Sequence, residues 1–241
     1  MRLFGIIGKP LGHSQSAAHF TKKFSEEGID AEYRRFELPD IGSIATLPEE
    51  LEGFNVTIPY KRAIIPYLDE LSPEARAIGA VNCVVCRNGR RTGHNTDVVG
   101  IRSTLDMLIG DEEISGALVL GTGGASAAVQ YALAERNIAF ALVSRDPARG
   151  NLTYDDLNAG IMAETRLIIN TTPVGMTPNE DEAPKIPYEA LDSRHLLFDV
   201  VYTPPVTKFL QAGRNAGART ADGVTLFLEQ AKASWRIWNG L

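Results

Sequence analysis

The pattern of residues 116–146, GALVLGTGGASAAVQYALAERNIAFALVSRD, constrains the fold of this 241-residue chain more than any other feature. An apolar strand runs into closely spaced glycines, an alanine-rich helix follows, and a second apolar strand ends at a charged turn. This is the order and length of a parallel βαβ unit. The apolar runs TRLIIN and HLLFDVV follow, and such runs are typical of parallel strands covered on both faces. We therefore predict a doubly wound, Rossmann-type α/β domain in the second half.

The glycine loop of this unit contains Gly121, Gly123 and Gly124. Gly121 suits the tight turn after the strand, and Gly123 allows the backbone to approach a pyrophosphate closely. The following helix then offers its first N–H groups to the anion. Ser126 replaces the third glycine of the usual pattern and is still small enough for close helix–strand packing. We expect a dinucleotide site here rather than a merely structural turn.

The charged turn after the second strand bears on the choice of dinucleotide. Arg145 and Arg149 favour a 2′-phosphate and hence NADP, because guanidinium groups pair well with phosphate. Asp146 favours the ribose 2′-hydroxyl of NAD. These residues could also be ordinary surface charges, so the residues alone leave the choice open.

The first half alternates strands and helices. We predict strands over RLFGIIG, EYRRFEL and FNVTIP, and a helix over SQSAAHFTKKFSEEG whose serines suit N-capping and whose Gly28 suits the stop. Residues 81–95, VNCVVCRNGRRTGHN, read as a β-hairpin with Asn88-Gly89 as the turn. We also predict a connecting helix over residues 98–109 and an amphipathic C-terminal helix over residues 222–241.

Composition excludes several classes of protein. The net charge of −6 provides no basic field for nucleic acid. No apolar run approaches the roughly 20 residues of a membrane span, and the N-terminus is too short for a signal peptide, so we expect a cytoplasmic protein. Cys83 and Cys86 form a C-x-x-C, but no second ligand pair follows it. We interpret them as strand residues and expect no metal.

The stretch GFNVTIPYKR, residues 53–62, brings Asn55, Thr57 and Lys61 together where a strand ends at a proline. Other polar residues fall at predicted strand ends or loops: Ser14, Ser16, Asn82, Asn95, Thr96 and Asp97. Each has an ordinary reading as a cap, a turn residue or a surface charge. Together they favour a pocket for a small polyhydroxylated molecule.

Eight motifs resemble, in order, those of the shikimate dehydrogenase family: GKPLGHSQS, FNVTIPYK, IGAVN, GHNTD, LGTGGA, INTTPVGM, DVVYTPPVT and DGVTLFLEQA. They span nearly the whole chain, and their order is far more specific than any one of them. One departure lies at the cofactor turn, where the common N-R-T is Ser144, Arg145 and Asp146. This departure keeps NAD use open beside NADP.

The resemblance implies a role for each matching residue. Lys61 matches the catalytic lysine, and Asp97 matches its partner aspartate. Ser14 and Ser16 match the residues that bind the substrate carboxylate in this family. Thr57, Asn82 and Asp97 match those that hold the ring hydroxyls. Tyr202 and Gln230 match those that close over the substrate. The cofactor residues are the diphosphate loop Gly121, Thr122, Gly123, Gly124 and Ala125, the 2′-phosphate pocket Ser144, Arg145 and Arg149, and the nicotinamide-side backbone of Val200 and Gly223.

The implied architecture has two α/β domains with the active site in the cleft between them. Residues 1–97, completed by residues 222–241, form the substrate domain, and residues 98–221 form the NADP domain. The implied reaction is reversible, NADPH-dependent reduction of 3-dehydroshikimate to shikimate, in chorismate and aromatic amino acid biosynthesis. Two alternatives remain: a quinate/shikimate dehydrogenase with NAD or dual cofactor use, and a non-catalytic cofactor-binding relative. We expect no macromolecular partner and either a monomer or a homodimer.

Overall fold

The computed structural model describes residues 1–12 and 14–241. The chain forms two compact units: Met1–Thr96 with Ala231–Leu241, and Asp97–Gln230. The chain thus rejoins its first unit at Ala231, within the final helix. The domain limits expected from the sequence, 97/98 and 221/222, stay a prediction, because compactness alone does not show which residues function as one body.

The first unit is built on a mixed six-stranded sheet with order β2-β1-β3-β5-β6-β4. Strand β1 pairs in parallel with β2 and β3, whereas β5 pairs antiparallel with β3 and β6. Its elements are β1 (Arg2–Gly8), α1 (Ser16–Glu26), β2 (Ala31–Glu37), β3 (Leu51–Val56), α2 (Tyr60–Ala63), β4 (Glu70–Leu71), α3 (Pro73–Ile78), β5 (Cys83–Arg87) and β6 (Arg90–His94).

The second unit is built on a five-stranded parallel sheet with order β11-β10-β9-β7-β8. Its elements are α4 (Asp97–Ile109), β7 (Gly116–Leu120), α5 (Gly124–Glu135), β8 (Ala139–Val143), α6 (Ala159–Glu164), β9 (Leu167–Asn170), β10 (Leu196–Asp199), α7 (Lys208–Asn215), β11 (Arg219–Ala221) and the first part of α8 (Val224–Asn239), which from Ala231 onward belongs to the first unit. The predicted Rossmann-type unit is confirmed, since the apolar strands are buried in one parallel sheet.

The predicted hairpin is also confirmed. Strands β5 and β6 pair antiparallel, and Asn88 and Gly89 between them have φ values of 51° and 73°. A two-residue turn of this kind needs positive φ at both positions, which Asn and Gly adopt at least cost. Cys83 and Cys86 both lie on β5, and burial raises the pKa of the Cys86 thiol to about 11.

The start of α1 differs from the expectation. The N-cap of this helix is Gln15, with no side-chain cap bond in the described part of the chain, so neither predicted serine caps it. Instead, the Ser16 amide donates to the Ser14 hydroxyl at 3.4 Å. The hydroxyl of Ser14 is thus part of the loop before the helix.

The C-terminal end of α8 completes the core of the first unit. Trp238 is 2% exposed, stacks on Phe4 with ring centroids 4.9 Å apart, and donates its indole N–H to the carbonyl of Val84 at 2.9 Å. Phe20 and Tyr33 lie in the same aromatic cluster. The predicted return of the final helix is therefore confirmed. In the described ranges, no helix is both long and apolar enough to cross a membrane.

Candidate active site

The glycine loop after β7 has the geometry that an anion-binding turn requires. Gly121 has a φ of +105°, and a Cβ there would lie 2.9 Å from the Thr171 hydroxyl oxygen, so only glycine fits. A Cβ at Gly123 would meet nothing within 4 Å, so the backbone there is open to a ligand. Among the described residues no side chain caps α5, which leaves its first N–H groups available to an anion.

The turn after β8 is organised by its own polar side chains. The Asp146 amide donates to the Ser144 hydroxyl at 3.1 Å, and the Ala148 amide donates to the Asp146 carboxylate at 3.0 Å. Asp146 is therefore a turn-forming residue, which gives its carboxylate a local role. The Arg149 guanidinium donates to the carbonyl of Thr122 at 3.5 Å, so it lies beside the glycine loop.

Arg145 is exposed on the same turn. Its positive charge acts on Tyr154: burial raises the pKa of that phenol, and Arg145 opposes the increase. Arg145 and Arg149 are thus two cationic side chains on one turn next to the glycine loop. This arrangement suits an additional phosphate on a bound dinucleotide.

The residues predicted for the nicotinamide side, Val200 and Gly223, and those predicted to close over the substrate, Tyr202 and Gln230, lie in the second unit. Gly223 packs so closely on Val200 that a Cβ would collide with the Val200 carbonyl, and its amide donates to the Val201 carbonyl at 3.0 Å. The Tyr202 ring lies 5.0 Å from that of Phe227, and the Gln230 amide donates to the Phe227 carbonyl at 2.9 Å.

The two serines predicted to bind a carboxylate lie at the start of α1 in the first unit. Ser16 is buried and Ser14 is half-buried. Strand β2 holds the loop before them: the Arg35 guanidinium donates to the Ser14 carbonyl at 2.9 Å, and the Glu37 carboxylate accepts from the Leu11 amide at 3.0 Å. Two side chains of one strand therefore fix the loop that presents the serines.

Thr57 and Lys61 follow β3 in the same unit, and both are half-buried. The Thr57 amide donates to the Ile7 carbonyl at 3.0 Å, and the Lys61 carbonyl accepts from the Val81 amide at 2.7 Å. Both backbones are thus anchored to neighbouring segments. Lys61 belongs to the first unit, whereas Asp97, which is 5% exposed, is the first residue of α4 and of the second unit.

Some polar residues considered for the pocket form a buried network instead. The Asn55 amide donates to the Asn82 carbonyl at 3.1 Å and to the Ser234 hydroxyl at 3.0 Å, and its oxygen accepts from the Tyr33 hydroxyl at 2.8 Å. Thr96 bonds to the side chains of Asn82 and Ser234. These bonds link β3 to α8, so Asn55 and Thr96 have a structural role that the sequence did not indicate.

Sequence reasoning also missed three buried residues of the second unit: Asn170, Asp199 and Thr207. Asn170 and Asp199 end the apolar strands LIIN and LLFD. A polar residue that ends a buried strand was the signal that singled out Thr57 and Lys61. The same signal could have identified this pair.

The second unit therefore has what a dinucleotide with a 2′-phosphate needs: a glycine-only turn, an uncapped helix N-terminus and two arginines on the adjacent turn. These features lie at the carboxyl ends of parallel strands, the edge where open α/β sheets bind their ligands. The glycine loop, the start of α5 and the two arginines therefore fit NADP(H), the cofactor that the family motifs imply.

Comparison with known proteins identifies the family. Residues 6–84 match the model of the shikimate dehydrogenase substrate binding domain. The chain is 35% identical to the shikimate dehydrogenase (NADP(+)) of Shouchella clausii, covering 99% of this chain and 93% of the relative. It is 36% identical to that of Halothermothrix orenii, covering 100% and 91%.

Solved structures agree with this assignment. The Thermus thermophilus shikimate 5-dehydrogenase in complex with NADP(H) and shikimate is 32% identical, with a TM-score of 0.86 and coverage of 100% of this chain and 94% of that one. The Corynebacterium glutamicum quinate dehydrogenase in complex with NAD is 29% identical, with a TM-score of 0.88 and the same coverage. Sequence identity above 30% extends over nearly the full length of this chain and of each of the two curated relatives. This chain therefore belongs to the shikimate dehydrogenase family.

Proposed function

We propose that this protein is an NADP-dependent shikimate dehydrogenase, an oxidoreductase that reversibly reduces 3-dehydroshikimate to shikimate in the shikimate pathway. The observation that carries the proposal is the full-length similarity to enzymes of that name. It is supported by a relative of the same fold that holds both NADP(H) and shikimate. The product feeds chorismate and aromatic amino acid biosynthesis.

The cofactor, when bound, supplies the hydride, and the protein supplies binding, orientation and the proton. Gly121–Ala125 and the first turn of α5 would hold the diphosphate. Arg145 and Arg149 would pair with the 2′-phosphate, with Ser144 beside them. One oxygen of the Asp146 carboxylate accepts the Ala148 amide within the turn, which gives this side chain a local structural role.

The proposed substrate residues follow the matching family motifs. Ser14 and Ser16 are proposed for the carboxylate, since hydroxyl donors on a fixed loop suit an anionic oxygen. Thr57, Asn82 and Asp97 are proposed for the ring hydroxyls. Tyr202 and Gln230 are proposed to cover the substrate, and the bond from Gln230 to the Phe227 carbonyl orients that amide.

Lys61 is the proposed proton donor for ketone reduction and, as the amine, the acceptor for alcohol oxidation. Its backbone is fixed by the Val81 amide at 2.7 Å, so the side chain starts from a defined position. Proton transfer by a positioned side chain contributes roughly 10²–10⁴-fold in rate. Asp97 is the second proposed catalytic residue.

The test is the loss of nicotinamide absorbance when the purified protein meets 3-dehydroshikimate, with NADPH and NADH in parallel. The reverse reaction is run with shikimate and with quinate. Faster oxidation of NADPH than of NADH, together with a preference for shikimate, supports the proposal. Faster turnover of quinate with NAD would move the protein toward the quinate dehydrogenases, and absence of turnover with every pair would refute an enzymatic role on these acids.

A further inference from the structure

Three buried polar side chains meet where β9 and β10 end. Asp199 and Asn170 are each 0% exposed, and Thr207 is 1% exposed. The Asn170 amide donates to Asp199 Oδ1 at 3.0 Å, and the Thr207 hydroxyl donates to Asp199 Oδ2 at 2.7 Å. The Val201 amide donates to Oδ1 at 3.0 Å. One carboxylate therefore accepts from both strand ends and from the start of α7.

The three residues, which we call the strand-end network, close the segment 200–207 at both ends. Asp199 holds the Val201 amide at one end. At the other, Thr207 is the N-cap of α7 and accepts from the Leu210 amide at 3.3 Å. This segment carries Val200, which is proposed for the nicotinamide side, and Tyr202, which is proposed to cover the substrate.

The network also reaches the segment 171–176 after β9. Asn170 Oδ1 accepts from the amide and the hydroxyl of Thr172 at 3.0 and 2.6 Å. The Thr177 amide, directly after this segment, donates to the Thr203 carbonyl at 3.0 Å, in the middle of segment 200–207. The Thr171 hydroxyl donates to the Leu120 carbonyl at 2.7 Å, immediately before Gly121. The network is thus continuous with the glycine loop.

Burial disfavours the ionised form of the Asp199 carboxyl group. All three donors to Asp199 are neutral groups, and a buried charge without a cationic partner is unfavourable. Burial raises the pKa of Asp199 to about 6; the three hydrogen bonds oppose this increase, and the negative charge of Asp222 adds to it. The phenol of Tyr188 also interacts with this carboxylate: burial raises the pKa of Tyr188, and the negative charge of Asp199 raises it further.

We propose that Asp199 is a positioning residue for the cofactor site: it fixes the segment 200–207, with Val200 and Tyr202, against the segment 171–176 beside the glycine loop. The inference rests on the proposed function, since Val200 lies at a nicotinamide site, and Tyr202 at a substrate site, only if NADP(H) and the substrate bind here. The ionised carboxylate accepts all three bonds. The protonated acid gives up one of these acceptor positions, so the segment is held less firmly.

Ionisation of Asp199 is expected to strengthen cofactor binding but to lower the free energy of unfolding. The pKa of Asp199 in the folded protein, about 6, lies above its ordinary value of 3.8. Asp199 therefore contributes its full stabilisation of the folded protein below pH 4, where it is neutral, and this contribution is lost as the pH rises through 6. Asp199→Asn stays neutral and escapes that loss, so its unfolding temperature relative to the native protein should rise between pH 5 and pH 7.5.

The experiment measures NADPH dissociation constants by direct titration for the native protein, Asp199→Asn and Thr207→Val, with Thr207→Ser as the control that keeps the hydroxyl. At pH 7.5 we expect Asp199→Asn and Thr207→Val to bind NADPH about fivefold to tenfold more weakly, and Thr207→Ser to bind like the native protein. At pH 5.5 the NADPH dissociation constant of Asp199→Asn should exceed that of the native protein by less than about threefold. Protonation of the cofactor phosphate affects both proteins equally, so it cancels in the ratio of their dissociation constants.

Hydrogen exchange of segment 200–207 without cofactor gives a second readout, and faster exchange in Asp199→Asn is expected. Native-like NADPH affinity in Asp199→Asn at pH 7.5, or a lower unfolding temperature with unchanged affinity, would reduce Asp199 to a structural residue and overturn the inference. If the native protein itself did not bind NADPH, the proposed function would fail instead. In that case unchanged exchange of segment 200–207 would reject the positioning role as well.

Discussion

Lys61 and Arg62 are adjacent cationic residues on α2, yet Lys61 is half-buried and Arg62 is exposed. Two neighbours of the same charge allow a single-residue test of the proposed proton transfer. A general electrostatic contribution to substrate attraction would depend on either residue. A proton transfer step depends on one amine at one position.

We expect Lys61→Ala to lower kcat for 3-dehydroshikimate reduction by roughly 10²–10⁴-fold with a modest change in KM, because the reduced carbonyl loses its proton donor. Arg62→Ala is the matched control and should keep native kcat. Steady-state kinetics with NADPH measures both variants. A Lys61→Ala protein with near-native kcat would remove Lys61 from the proton transfer.

The turn after β8 allows a second test that changes single residues. We expect Arg145→Ala to weaken NADPH binding about 10–100-fold more than NADH binding, because a charge-assisted bond to phosphate contributes roughly 1.5–3 kcal/mol. Asp146→Asn should leave the NADPH preference in place, since its oxygen can still accept the Ala148 amide. Titration with both cofactors measures this, with the surface variant Arg214→Ala as control. Equal losses for the two cofactors would mean that Arg145 does not read the 2′-phosphate.

Among the secondary-structure elements, strand β2 holds the loop between β1 and α1, next to the two serines proposed for the substrate carboxylate. Arg35 and Glu37 each make one bond to that loop, at the Ser14 carbonyl and the Leu11 amide. Glu32, on the same strand, pairs with Arg34 instead. The strand thus offers one acid that holds the loop and one that does not.

We expect Glu37→Ala to raise KM for shikimate about threefold to tenfold without changing KM for NADP, because the loss of one hydrogen bond of about 1 kcal/mol loosens the serine loop. Glu37→Gln, which keeps an acceptor oxygen, should restore the native KM. Glu32→Ala is the control on the same strand. Identical shikimate KM values for Glu37→Ala and Glu32→Ala would contradict a positioning role for Glu37.

At the scale of the whole molecule, the end of the chain completes the core at its beginning. Trp238 stacks on Phe4, and the chain has two tryptophans in all, Trp235 and Trp238. Both belong to the first unit. Tryptophan fluorescence therefore reports the unfolding of that unit alone, and either tryptophan can be replaced while the other remains as the probe.

We expect Trp238→Phe to lower the free energy of unfolding of the first unit by about 1–3 kcal/mol, because the buried Val84 carbonyl loses its indole donor. Trp235→Phe should cost less, since Trp235 is half-buried. Urea denaturation followed by fluorescence of the remaining tryptophan measures both. A larger loss for Trp235→Phe would show that the Val84 bond does not dominate this part of the core.

Much of the molecule could be predicted where short-range sterics decide the structure. Gly121 and the Asn88-Gly89 turn have backbone angles that few other residues adopt, so the sequence marks them directly. The helix at residues 98–109 and the parallel strands follow from hydrophobic periodicity. The start of α1 was misassigned because serine favours both caps and loops.

The Rossmann-type unit, the hairpin and, through the ordered motifs, the family can be read from the amino-acid sequence alone. Contacts between residues far apart in the chain emerge only in the folded protein: the contact of Trp238 with Phe4, the bond from Asn55 to Ser234, and the meeting of Asn170, Asp199 and Thr207. This difference arises because local patterns encode backbone angles and the buried face of each element. The partner of a buried polar group is chosen by the packing of whole elements, which no short stretch of sequence specifies.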